Sequence, residues 1–215
     1  MTTQGGDLLD ITVAGALTTG VKPNQIEVPY NCDVADVTLD VGTAPTGSDL
    51  IVDVLANGTS IFGATLGHVA NLSSAQAAGG GWDASSTDLL FTPASDGAVQ
   101  AGMTIKAGSE EIKVGSVVGD PHVEGGATSV VKLTGCTRGA NGTSAATHAA
   151  NVTVTAALPR VPAGQTKSSS ENRGASNPAA AAQLSKGDVL SAQVTAIGSS
   201  VAGSDLTVNV QVVRR

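Results

Sequence analysis

Apolar and polar residues alternate along much of the chain with the period of two that a half-buried β-strand requires. The cleanest run is 206–213, where Leu206, Val208, Val210 and Val212 share one face and Thr207, Asn209 and Gln211 the other. In 34–41, Val37, Leu39 and Val41 oppose Asp36, Thr38 and Asp40. In 50–55, Leu50, Val52 and Val54 point inward and Asp53 outward. Asn57-Gly58 follows, a pair that tolerates positive φ at both positions and so predicts a type I′ hairpin turn. Residues 59–62 are its return strand. Shorter strands are predicted at 26–28, 89–92, 103–106, 111–117, 129–133, 152–155 and 189–197, punctuated by Gly, Pro and Asp.

The remaining segments separate these runs into groups. Residues 1–10 are polar and Gly-containing and read as an N-terminal arm. Residues 64–86 are rich in Ala, Gly and Ser, include Gly79-Gly80-Gly81, and read as a linker, with a helical turn or two at 70–78. Residues 163–180 are polar and read as an exposed loop. The fold class that follows is all-β.

Composition changes the picture in one respect. Hydrophobic residues make up 41% of the 215, yet aromatics make up only 2%, and Trp82, Tyr30, Phe62 and Phe91 are the whole supply. A core of Ala, Val, Leu and Ile buries little area per side chain, so stability must come from many strands or from association between chains. The formal net charge of −7 disfavours nucleic acid and anionic membrane surfaces as partners. No run of about 18 apolar residues is present, and the first residues lack the basic and apolar regions of a secretory signal. Arg214 and Arg215 read as a solvated tail. Cys32 and Cys136 read as two free thiols, and no Cys or His spacing suits zinc.

The run from Val37 to Phe62, which opens Val-Thr-Leu-Asp-Val-Gly, resembles a β-sandwich module that recurs in bacteriophage virion proteins. Its second half resembles Ala163-Gly164-Gln165-Thr166 together with the run from Lys186 to Val210. Between the halves, Gly108-Ser109-Glu110, Ile112, Val114, the stretch Thr137-Arg138-Gly139-Ala140-Asn141-Gly142-Thr143, and Ala145-Ala146-Thr147-His148 resemble a second small β module of phage head and tail proteins. The resemblance implies a jelly-roll-like β-sandwich host, 11–63 with 158–215, carrying an inserted small β-barrel or sandwich at 64–157. It also implies a homotrimer.

Within that frame the candidate chemistry has two readings. Glu110, Arg138 and His148 are the polar trio that the second module marks. They are either a small active or metal site, or a structural knot in which Arg138 forks onto Glu110 while His148 fixes a turn. The structural reading is favoured. Asp33, Asp36, Asp40, Asp49 and Asp53 either ligate Ca²⁺ or form a solvated face that discourages edge pairing, and the second is favoured. Asp120-Pro121-His122 reads as a turn. No nucleophile elbow, phosphate loop or zinc-protease helix appears. Asn57, Asn71, Asn141 and Asn151 head glycosylation sequons that carry meaning only on a secretory route.

The expectation is therefore a non-enzymatic virion protein with no cofactor and no metal. As a capsid decoration or cement protein it binds the major capsid protein on the head exterior as a homotrimer. The alternative is a tail-fibre, baseplate or head-fibre component that recognises the host surface.

Overall fold

The computed structural model describes residues 7–71, 81–94, 98–118, 130–168 and 183–215. The chain begins with β1 (Asp7–Ala16), β2 (Gly20–Glu27), β3 (Cys32–Thr43), β4 (Leu50–Ala56) and β5 (Thr59–Ser60). A middle group follows: β6 (Thr65–Val69), β7 (Leu89–Pro93), β8 (Thr104–Ala107), β9 (Glu110–Lys113), β10 (Ser116–Val118), β11 (Val131–Thr134) and β12 (Thr153–Ala156). The chain closes with β13 (Arg160–Val161), β14 (Gln183–Leu184), β15 (Val189–Ala196) and β16 (Ser204–Arg214). A 3-10 turn at Ala140–Gly142 is the one helical element among the described residues. The protein is all-β, and its strand pairs are antiparallel.

Two compact units divide the chain, one from Met1–Ala64 with Leu158–Arg215 and one from Thr65–Ala157. The first is a sandwich of two sheets, ordered β1-β16-β3-β14 and β13-β4-β15-β2, with β5 added to β4. β16 lies at the centre of its sheet because both of its neighbours match its alternation. Val208 pairs with Ile11 on one side and Leu39 on the other, and Val210 pairs with Leu9 and Val37. All of these side chains are buried, as are Leu50, Val52, Val54, Leu190, Ala192 and Val194 of the second sheet. Parity breaks once in β3: Val34 opposite Val212 and Asp36 opposite Gln211 leave Ala35 unpaired. This bulge lets Val34 and Val37 both face inward although they are three residues apart.

The second unit is one curled sheet of seven strands, ordered β10-β11-β7-β6-β12-β8-β9. The strands that open and close the unit in chain order, β6 and β12, are neighbours, with Thr65 paired to Thr155. The curl folds Leu66, Leu89, Phe91, Ile105, Ile112, Leu133 and Val154 into a buried interior.

Several expectations are corrected. Residues 7–10 are not part of an arm but the start of β1, in register with β16 from Asp7 opposite Val212. Leu9 and Ile11 are buried while Asp10 and Thr12 face solvent, an alternation hidden by Leu8, which is 55% exposed. The segment 64–86 is not a linker at either end, because it contains β6 and the buried Trp82. Two of its glycines, Gly67 and Gly81, stand where close packing leaves no room for a side chain. A Cβ at Gly67 would stand 2.2 Å from the Thr92 carbonyl oxygen and 2.4 Å from the Phe91 ring. Of the helical turn expected at 70–78, Ala70 is instead extended from β6, its N–H donating to the Leu90 carbonyl at 3.1 Å, and residues 72–78 lie outside the described residues, as does the turn at Asp120-Pro121-His122.

The single strand expected over 111–117 is two, β9 and β10, broken at Val114-Gly115, where Gly115 packs on the Gly135 carbonyl. Of the loop expected at 163–180, Thr166 and Ser168 hydrogen-bond along the edge of β3, to Val41 N–H at 2.8 Å and to the Leu39 carbonyl at 2.9 Å. Residues 169–182 lie outside the described residues. Arg214 and Arg215 are not a free tail. Arg214 pairs with Asp7 at 2.9 Å and stacks over the Tyr30 ring, while Arg215 pairs with Asp33 at 3.1 Å and donates to the Leu184 carbonyl.

Candidate functional site: a closed ionic knot in the second unit

Glu110 opens β9, Arg138 precedes the 3-10 turn, and His148 sits opposite Trp82 in an isolated bridge. The curl of the sheet brings the three side chains together. Arg138 forks onto Glu110, with Nε donating to Oε1 at 2.7 Å and Nη2 to Oε2 at 2.8 Å. Its other N–H groups go to backbone carbonyls: Nη1 to Asp83 and to Ser86 at 3.0 Å, and Nη2 to Ala146 at 2.6 Å. Every N–H that a guanidinium offers is thereby used. Glu110 is equally engaged. The Gly139 N–H donates to Oε1 at 3.0 Å, and the Ala146 N–H to Oε2 at the same distance. His148 Nε2 also meets Oε2 at 2.7 Å, so Nε2 carries the proton and donates it to the carboxylate.

Gly139 is in the left-handed region at φ 61, and a Cβ there would stand 2.7 Å from the Thr143 carbonyl oxygen. That conformation turns its N–H toward the carboxylate. Trp82 holds His148 from the other side. Their backbones exchange hydrogen bonds at 2.8 and 2.9 Å, and the rings meet edge to face with centroids 6.0 Å apart. Beside the knot, Thr143 Oγ1 accepts from the Glu111 N–H at 3.0 Å, and Asn141 Nδ2 donates to Glu111 Oε2 at 2.7 Å.

Glu110 has no exposed surface, and the Arg138 side chain has 5%. Burial raises the Glu110 carboxyl, but the Arg138 fork, the Ala146 N–H, His148 and the Gly139 N–H outweigh it and hold the group at about 2. A general acid or base needs a lone pair or proton within reach of a substrate. Here each is turned onto the protein's own loops. What the arrangement does is fasten 83–86, 138–139 and 146–148 to β9.

Asn57 and Gly58 belong to the first unit. They stand at φ 50 and φ 83 between β4 and β5, with Ala56 opposite Thr59. Asn57 Nδ2 donates to Asp188 Oδ1 at 2.8 Å, and Asn57 Oδ1 accepts from the Val189 N–H at 2.9 Å.

The five aspartates do not converge. Asp33 pairs with Arg215, Asp40 with Lys167 at 3.2 Å, and Asp49 with the buried Arg160 at 3.3 Å. Asp36 caps the Val37 N–H. Asp53 is corrected: it is buried, not on a solvated face, and accepts from Ser60 Oγ at 2.8 Å. Burial pushes its carboxyl up, and the Ser60 and Val54 hydrogen bonds only partly offset this. Among the described residues no three His, Cys, Asp or Glu side chains gather as a metal site. Cys32 and Cys136 are free and buried, and burial raises both thiols. Among the described residues no helix is long and apolar enough to cross a membrane.

Sequence reasoning missed Trp82, Asn141 and Thr143 as members of the site. Trp82 was legible as the chain's single tryptophan, but the Gly-rich residues before it argue for a linker. Asn141 and Thr143 lie inside the motif that marks Arg138, so their partner Glu111 is what was invisible. Comparison of the chain with family models, with curated proteins and with solved structures gives no match in any of the three.

Proposed function

We propose that the chain is a non-enzymatic structural subunit of a bacteriophage virion, a decoration or cement protein that binds the major capsid protein on the head exterior as a homotrimer. The observation that carries the structural role is the knot itself. The most completely connected polar cluster in the described residues directs every donor and acceptor of Glu110 and Arg138 to its own loops. Such a cluster gives rigidity and specificity of loop position. The resemblance of the runs 37–62, 163–166 and 186–210 to virion modules supports the setting, and an all-β fold is in keeping with it.

In this reading the protein bridges neighbouring capsid subunits through many modest contacts. Three-fold repetition multiplies them into a stable attachment. A core with few aromatics gains from the burial that association supplies. The test is co-sedimentation of the purified chain with empty capsids of the phage whose genome encodes it. Saturable binding at the head, with the free protein sedimenting as a trimer, is the expected result. Binding no better than that of an unrelated protein of equal charge overturns the proposal, and binding to host cells instead turns it toward a fibre or baseplate component.

A further inference from the structure

The chain carries two Asn-Gly pairs in exposed turns, Asn57-Gly58 and Asn141-Gly142, and the structure holds them unequally. Asn57 is tied on both sides of its amide, to Asp188 and to the Val189 N–H, and its own N–H donates to the Val189 carbonyl at 2.9 Å. Asn141 stands at φ 55 and ψ 32 in the three-residue turn Ala140–Gly142, which the Thr143 N–H closes onto the Ala140 carbonyl at 3.1 Å. Its Nδ2 donates to Glu111, and among the described residues nothing donates to its Oδ1.

We propose that Asn141 is a site of self-modification, deamidating through a succinimide formed with the backbone nitrogen of Gly142 while Asn57 stays intact. Glycine is the residue that makes this attack accessible, because no side chain shields its nitrogen. The Gly142 nitrogen loses its proton to solvent and bonds to Asn141 Cγ. The Cγ–Nδ2 bond breaks, and Nδ2 leaves as ammonia after taking up a proton from water. A water molecule then opens the ring at either carbonyl, giving aspartate or isoaspartate. Attack requires ψ at the asparagine to swing away from the observed value, so each turn must open locally first. Opening at Asn141 breaks its amide bond to Glu111 and strains the Thr143 bonds that close the exposed turn onto Ala140 and tie it to the Glu111 N–H. Opening at Asn57 breaks bonds to two residues of the neighbouring strand region as well as the hairpin.

The modification bears on the knot. The new carboxylate stands where Nδ2 donated to Glu111, so attraction becomes repulsion two residues from the Gly139 N–H that holds Glu110. The experiment is incubation of the intact protein at mildly alkaline pH, followed by proteolysis and mass spectrometry. Electron-transfer fragmentation distinguishes isoaspartate from aspartate. Conversion at Asn141 about ten-fold or more faster than at Asn57 is expected, because the Asn57 amide is held at both its nitrogen and its oxygen and the Asn141 amide at its nitrogen alone. The urea-unfolded chain, where both sites convert at similar rates, is the control. Faster conversion at Asn57, equal rates in the folded protein, or conversion at neither site while the unfolded control reacts would each overturn the proposal.

Discussion

Burial alone would push the Glu110 carboxyl upward, yet four neighbours hold it at about 2, below its ordinary 4.5. A carboxyl depressed in the folded state contributes stability that is complete above its unfolded value and lost as pH falls toward the folded one. The second unit is therefore expected to lose stability between about pH 4.5 and pH 2, read by the fluorescence of Trp82, the single tryptophan, which is buried in that unit. A Glu110→Gln variant should lack most of this acid dependence. Arg138→Ala leaves the carboxylate buried without its fork and should cost about 3–5 kcal/mol in urea denaturation. Asp53 gives the opposite sign. Its carboxyl is raised by burial, so its ionised form opposes folding, and stability falls as pH rises through the ordinary aspartate range toward the folded value. Asp53→Asn keeps an acceptor for Ser60 Oγ and should raise the melting temperature at pH 7 while leaving it unchanged below the ordinary aspartate range. An equal shift at both pH values would show that charge is not the cause. Glu110 and Arg138 were legible as a pair because their residue types and motif suggested a fork. The burial of Asp53 was not, because alternation says which face a residue takes and nothing about what covers that face.

At the scale of the element, the strands legible in the sequence are those with one face buried and the other wet. In β16 the four inward side chains are almost wholly buried, and the polar residues between them remain accessible. The Asn57-Gly58 hairpin is legible for a different reason, since few residues other than Asn and Gly occupy φ 50 and φ 83 without strain. β1 and β6 were not legible. In β1 an exposed Leu8 beside a buried Leu9 erases the period, and in β6 the glycine that fits against the Phe91 ring looks like flexibility. The bulge at Ala35 likewise depends on a partner strand far along the chain. The contact at Gly67 yields a sharp expectation. Gly67→Ala drives a methyl group into the Thr92 carbonyl and the Phe91 ring, and should cost about 2–3 kcal/mol in the Trp82 transition. A variant as stable as the parent would mean that β6 and β7 do not pack as described.

For the whole molecule, two compact units share one chain, and each has its own sheet system and buried interior. The first and last strands of the second unit are paired with each other, so a fragment of residues 65–157 has both ends in its own sheet and should fold alone with a buried Trp82. In the aromatic-poor first unit, association is expected to supply burial, so its unfolding midpoint should rise with protein concentration. A concentration-independent melt of a monomer would remove the trimer from the proposal. The central claim, that the chain is a virion building block of the head exterior, is most directly tested by counting. If a phage encodes the chain, quantitative mass spectrometry of its purified particles measures the copy number against the major capsid protein. The account predicts on the order of hundreds of copies per particle, in a fixed ratio set by the shell's symmetry. Absence from the particle, or a few to a few dozen copies as at a tail or a single vertex, would contradict it.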